Sequence, residues 1–185
     1  MSTRKRRPAP PGTRACDDIA AMIRVDHAGE YGAVRIYEGQ LAVLGARKGA
    51  ASESIRRMAK EEQRHLETFD KLINERRVRP TALEPVWRVA GFALGAATAL
   101  MGEKAAMACT AAVEEVIDEH YAGQIEQLGD SDQELKNTVA DFRADEIAHR
   151  DEALARGAEQ APAYRLLSET IKAGCRVAIA LSTRL

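Results

Sequence analysis

The stretch IRRMAKEEQRHLETFDKL, residues 55–72, sets Glu62 and His65 three residues apart within an apolar series of Ile55, Met58, Phe69 and Leu72. Steps of three and four mark one face of an α-helix, so both ionisable side chains fall on the face that should be buried. Residues 135–153, LKNTVADFRADEIAHRDEA, repeat the arrangement with Glu146 and His149 among Leu135, Val139, Phe142 and Ala153. A single glutamate stands 32 residues ahead of each pair, Glu30 before Glu62 and Glu114 before Glu146. Glu30 shares a stripe with Ile19, Ile23, Asp26, Val34, Tyr37 and Leu41; Glu114 shares one with Met107, Thr110, Ile117, Tyr121 and Leu128. Two helices that each give one Glu, with two that each give Glu-x-x-His, supply the donors of a carboxylate-bridged dinuclear metal centre in a four-helix bundle.

One Glu-x-x-His pair alone would be an ordinary solvated pair on a helix. The repetition and the apolar setting of all six residues argue otherwise. An unpaired carboxylate in a bundle core costs several kcal/mol or takes up a proton. Four of them with two imidazoles call for cations. Carboxylate and imidazole donors without a nearby thiolate favour iron or manganese over structural zinc. Glu62 and Glu146, each tied to a histidine, are expected to bridge, with Glu30 and Glu114 terminal. Asp26 and Asp145 are candidate acceptors for the other imidazole nitrogens, Asp145 being equally suited to the surface. His27 reads as a core histidine bonded to a neighbour.

The 185 residues, 45% hydrophobic, suit one domain with a real core. A net charge of −1 excludes nucleic-acid binding as a theme. Cys16, Cys109 and Cys175 form no C-x-x-C, so reduced thiols are expected. Residues 1–16 are basic and proline-rich without an apolar core segment, and are expected to be a disordered leader rather than a secretory signal. Residues 17–185 are expected to form an all-α, ferritin-like four-helix bundle with an additional C-terminal helix.

Helices are expected over 17–47, 52–77, from Pro85 to 128, over 132–157 and over 163–183, with Ser52, Thr81 and Asp132 near their starts. Gly29 and Gly32 within the first suggest close backbone approach. The third is too long for its partners, so it either breaks near Gly102 or projects. Its first half, VAGFALGAATALMG (89–102), carries no charge and is too short to span a bilayer. Composition favours a core segment lined with small residues over an apolar surface. The last helix interrupts its apolar residues with Arg165, Lys172 and Arg176, as a fifth packed helix or an interfacial amphipathic one would.

Two functions fit these residues: a di-iron oxygenase acting on an apolar substrate, or ferritin-like iron handling. A helical bundle with a vestigial site is the third. The stretches RVDHAGEYGAVRIYEGQ around Glu30, RVRPT at 77–81, GFALGAATALMG, AMACTAAVEE and APAYRLLSETIKAGCRVAI resemble the demethoxyubiquinone hydroxylase family of ubiquinone biosynthesis. The resemblance covers residues 17–185. It implies a peripheral membrane mono-oxygenase that holds two iron ions on Glu30, Glu62, His65, Glu114, Glu146 and His149. Such an enzyme uses O2 to hydroxylate the ring of a polyprenylated quinone or quinol, with electrons from NADH or from the quinol itself. No Gly-x-Gly-x-x-Gly supports tight dinucleotide binding. His120 and Tyr121 are candidates for relaying protons or electrons, against a solvated His120 and a packed Tyr121. The resemblance further implies the cytoplasmic face of a bacterial inner membrane or the matrix face of a mitochondrial one. Self-association and partner proteins of the same biosynthesis go with it.

Overall fold

The periodicity is helical throughout, and so is the chain. The computed structural model describes residues 13–47 and 49–185, and every regular element among them is a helix. These are α1 (Thr13–Leu44), α2 (Ala50–Arg76), α3 (Glu84–Leu100), α4 (Glu103–Leu128), α5 (Gln133–Ala155) and α6 (Tyr164–Ser182), with a 3-10 turn at Ala158–Gln160. Helices α1, α2, α4 and α5 make the ferritin-like bundle. α6 is the additional C-terminal helix, and α3 is a sixth. Residues 1–12 of the expected leader lie outside the described residues, and α1 is already helical at Thr13, ahead of the expected start.

The boundaries have local causes. Gly102 adopts φ 117°, a conformation open to glycine, and this separates α3 from α4 where one long helix would outrun the bundle. Asp132 caps α5, its side chain accepting from the Leu135 amide at 3.1 Å. Ser52 does not cap α2, which starts at Ala50; its hydroxyl donates to the Leu44 carbonyl at 2.9 Å and so closes the end of α1.

The uncharged segment 89–102 departs from the core reading. Its small residues Gly91, Gly95, Thr98 and Ala99 face inward, whereas Val89, Phe92, Leu100 and Met101 are exposed. Contacts run in step, Gly32 with Gly91 and Ile36 with Gly95, so α3 lies parallel to α1. A Cβ on Gly95 would fall well inside contact distance of the Ile36 carbonyl, and one on Gly91 would sit 2.9 Å from the Gly32 carbonyl. The close approach thus uses Gly39, Gly91 and Gly95; a Cβ on Gly29 or Gly32 would meet open space, contrary to the reading of those two. Gly95→Ala should therefore destabilise the protein by about 1–3 kcal/mol through overpacking, outweighing the roughly 1 kcal/mol of helix propensity gained. A denaturation midpoint that stays level or rises would show that the α1–α3 contact is loose.

Helix α6 packs on the bundle through the residues that interrupt its apolar pattern. Lys172 pairs with Glu115 at 2.7 Å and Arg176 with Glu119 at 3.0 Å, both on α4. Leu166, Val177 and Leu181 are left exposed. With the outer residues of α3 they give the bundle an apolar exterior on one side. No helix of the described residues is long and apolar enough to cross a membrane.

Candidate metal centre

All six sequence-predicted donors meet in the middle of the bundle. Glu30, Glu62, His65, Glu114 and Glu146 are at most 1% exposed and His149 is 3% exposed. Their donor atoms form two groups, each within 4.8 Å: Glu30, Glu62, His65 and Glu146, and Glu62, Glu114, Glu146 and His149. The groups share Glu62 and Glu146, the two carboxylates that the sequence marks as bridges. His65 Nδ1 is 3.2 Å from Glu146 and 3.6 Å from Glu30; His149 Nδ1 is 3.0 Å from Glu62.

Both imidazoles turn Nδ1 to the centre and Nε2 outward. His65 Nε2 donates to Asp145 at 3.1 Å, and His149 Nε2 donates to Glu61 at 2.7 Å. Each histidine is thus oriented by the acid that precedes the opposite copy's Glu-x-x-His. Asp145 is the acceptor the sequence reading offered; Glu61 was missed, although acid–Glu-x-x-His stands in both copies. Asp26 has another role. It accepts from Gln124 at 2.7 Å and from His120 at 3.0 Å. His27 bonds Asp70 at 2.9 Å, as a core histidine would. Removing Asp145 should free the His65 ring and weaken metal affinity 10- to 100-fold, the range for such supporting residues. Titration of Asp145→Ala with ferrous iron tests this, and unchanged affinity would leave Asp145 a surface residue.

Glu30 and Glu114, the expected terminal ligands, are held by crossed tyrosines. Tyr37, seven residues after Glu30, donates to Glu114 at 2.7 Å, and Tyr121, seven after Glu114, donates to Glu30. The glutamines keep the same offset of 84 residues: Gln40 donates to Thr110 at 3.3 Å, and Gln124 to Asp26. The halves differ where Asp26 faces Thr110 and His120 faces Ile36 across the repeat. Tyr121 is therefore more than core packing, and His120 is bonded rather than solvated.

The electrostatics explain what such a site wants. Glu30 Oε2, both oxygens of Glu62 and of Glu146, Glu114 Oε2 and both Nδ1 atoms are buried without a hydrogen-bond partner. Burial pushes the Glu62 carboxyl up to about 8, with Glu114 and Glu30 adding to the rise. Burial and mutual repulsion also raise Glu114 and Glu146. Burial opposes charge on the imidazoles, but the carboxylates overcome it: Glu146 and Glu30 lift His65 to about 11, and Glu146 and Glu62 lift His149 to about 12. Protons are retained where cations would otherwise sit. Inward lone pairs lacking partners, outward nitrogens fixed by acids and two shared carboxylates fit a pair of hard divalent ions.

Beside the centre, α1, α3, α4 and α6 enclose an apolar cavity of about 390 Å3. Gly29, Gly32 and Gly174 leave its walls without side chains, and Leu94, Val113 and Ile179 also line it. Gly29 precedes Glu30 and Val113 precedes Glu114, so the backbone carrying the terminal glutamates forms its inner wall.

The sequence also places the chain among known proteins. The profile of the family described as ubiquinone biosynthesis protein COQ7 matches residues 17–182. The 3-demethoxyubiquinol 3-hydroxylase of Rhodospirillum rubrum is 58% identical over 166 residues, 90% of this chain and 78% of that protein. The human NADPH-dependent 3-demethoxyubiquinone 3-hydroxylase, mitochondrial, is 53% identical over 171 residues, covering 90% and 78%. The 5-demethoxyubiquinone hydroxylase, mitochondrial, of Saccharomyces cerevisiae is 42% identical over 173 residues, covering 85% and 74%. With that match spanning the whole bundle, the chain belongs to the ubiquinone biosynthesis protein COQ7 family.

Proposed function

We propose that this protein is a di-iron mono-oxygenase that hydroxylates the ring of a demethoxyubiquinone or demethoxyubiquinol with O2. The observation that carries the reading is the pair of donor groups sharing Glu62 and Glu146, set beside an apolar cavity. Glu30 and His65 would hold one ion, Glu114 and His149 the other, with Glu62 and Glu146 between them. When bound, the two irons supply O2 activation and the redox capacity for hydroxylation.

The chain's own residues prepare the site. Tyr37 and Tyr121, kept neutral because burial raises both well above their usual range, fix one oxygen of each terminal glutamate. Asp145 and Glu61 aim the imidazoles. The cavity excludes water and admits a planar ring where Gly29, Gly32 and Gly174 leave room. A prenyl tail would run between α3 and α6 to their exposed apolar side, which supports peripheral membrane binding. The relatives named as mitochondrial accord with the matrix face of a mitochondrial inner membrane, one of the two settings expected.

The relay role fits His120 and Tyr121. A cavity of about 710 Å3 lined by His120, Gln124, Ser131 and Thr183 meets His120, and the neighbouring Tyr121 reaches Glu30. The human relative's NADPH-dependent name supports a nicotinamide donor, whereas the R. rubrum and yeast names specify no donor.

Gly32→Leu tests the function. A leucine there should fill the cavity, keep the iron and lower quinone hydroxylation about 100-fold, as misplacement by an ångström does. Normal turnover with a filled cavity would place the substrate elsewhere. Growth of a ferric mineral in the native protein, given excess ferrous iron and air, would favour the storage alternative.

A further inference from the structure

The apolar side formed by α3 and α6 is charged at one end. The end of α6 and the residues after it meet the first turn of α3 and the loop before it: Trp87 Nε1 donates to Ser182 at 3.0 Å, and the Ala82 amide donates to the Leu185 carbonyl at 3.3 Å. Arg24, on α1, ties the two together by donating to the Arg79 carbonyl at 2.8 Å and the Thr183 carbonyl at 3.5 Å. Arg79 and Arg184 are exposed here, and Arg88 is exposed on the first turns of α3. None of these four has a carboxylate within 4.0 Å among the described residues, whereas Lys172 and Arg176 further along α6 are both paired. Glu84, Asp18 and Asp130 are acids at this end, the last two lining a cavity beside Thr183, and none of the three pairs with these arginines among the described residues.

We propose that this end is a headgroup site for anionic phospholipid, which orients the protein so that the α3–α6 cavity opens onto the bilayer. The inference rests on the peripheral membrane reading above and adds a partner of defined charge. Exposed Val86 and Val89 on α3, and Leu181 on α6, lie beside the arginines at the same end. Apolar side chains there enter the acyl boundary while guanidinium forks reach phosphate oxygens in the headgroup layer. Arg24, already spent on two carbonyls, holds the arginine-bearing segments together rather than binding lipid itself. Trp87 and Ile179 of the cavity wall sit at this end too, so the charged contact and the substrate route share one mouth.

The test uses the iron-loaded full chain and sedimentation with two vesicle types, phosphatidylcholine alone and phosphatidylcholine with roughly a third replaced by phosphatidylglycerol. Each basic residue near such a surface strengthens binding about fivefold. The native protein should bind the anionic vesicles on the order of 100-fold more tightly than the neutral ones, and added salt should erase the difference. Arg79→Glu with Arg184→Glu should lose that preference while keeping iron, helicity and the weak binding to neutral vesicles. Arg165→Glu, at the other end of α6, should leave the preference intact. Equal binding to both vesicle types, or a preference that survives the double reversal, would overturn the headgroup site and leave membrane docking by apolar contact standing. No binding to either vesicle would overturn both.

Discussion

Glu62→Ala and Glu146→Ala will each empty both metal positions. Each carboxylate belongs to both donor groups, so its loss opens two coordination spheres at once. It also leaves the remaining buried acids and imidazoles to neutralise one another with protons. Glu30→Ala and Glu114→Ala remove a donor from one group only. Iron analysis should therefore fall from about two per chain to near zero in the first pair and to about one in the second. Hydroxylation should drop to background in all four, so metal content rather than activity separates the roles. Iron retained in Glu62→Ala and Glu146→Ala, or stoichiometric zinc in the native protein, would sink the assignment.

Stripping the metal should reverse how stability depends on pH. In the metal-free fold the Glu62 carboxyl titrates near 8 instead of its usual 4.5, so the folded state holds a proton that the unfolded chain releases between those values. His65 and His149 hold theirs to about 11 and about 12, whereas unfolded imidazoles lose them near 6.5. Both shifts have the same sign: the unfolded state binds fewer protons, and stability falls as pH rises. The imidazole contribution is fully present below about 6.5 and fades toward 11. Asp26, raised by burial, adds to the trend at the acid end. Iron requires the deprotonated donors, so its stabilisation grows over the same range. Melting temperatures of chelated protein should drop by about 5 °C or more between about pH 6 and 9. Those of ferrous protein, kept anaerobic, should hold or rise. A chelated protein that is flat or more stable at high pH would mean that the buried acids do not share their protons as drawn.

That these six residues meet was legible in the sequence because a helix converts spacing into direction. Glu62 and His65 could be read as one face, and the apolar neighbours told which way that face pointed. The same logic that offered Asp145 would have found Glu61 too, since each stands one residue before a Glu-x-x-His glutamate and therefore points sideways toward the next helix. The crossed tyrosines were harder. Tyr37 and Tyr121 lie on the right faces, but which glutamate each reaches depends on how α1 and α4 are staggered, and stagger leaves no periodic trace. Segment 89–102 misled for a related reason: without charge it has no polar face, and only the Gly91 and Gly95 contact with α1 decides which side turns in.

On the proposed di-iron reading, the split of donors between hairpins would also set when the protein can take up metal. α1 and α2 carry Glu30, Glu62 and His65, three members of one group; α4 and α5 carry Glu114, Glu146 and His149, three of the other. Neither hairpin alone completes a group. As the chain leaves the ribosome, the first hairpin has to wait for Glu146, 84 residues after its own bridging carboxylate, before any complete pocket exists. On the same di-iron reading, a nascent or half-folded chain would be a poor competitor for reactive iron, and loading would wait until the two hairpins dock.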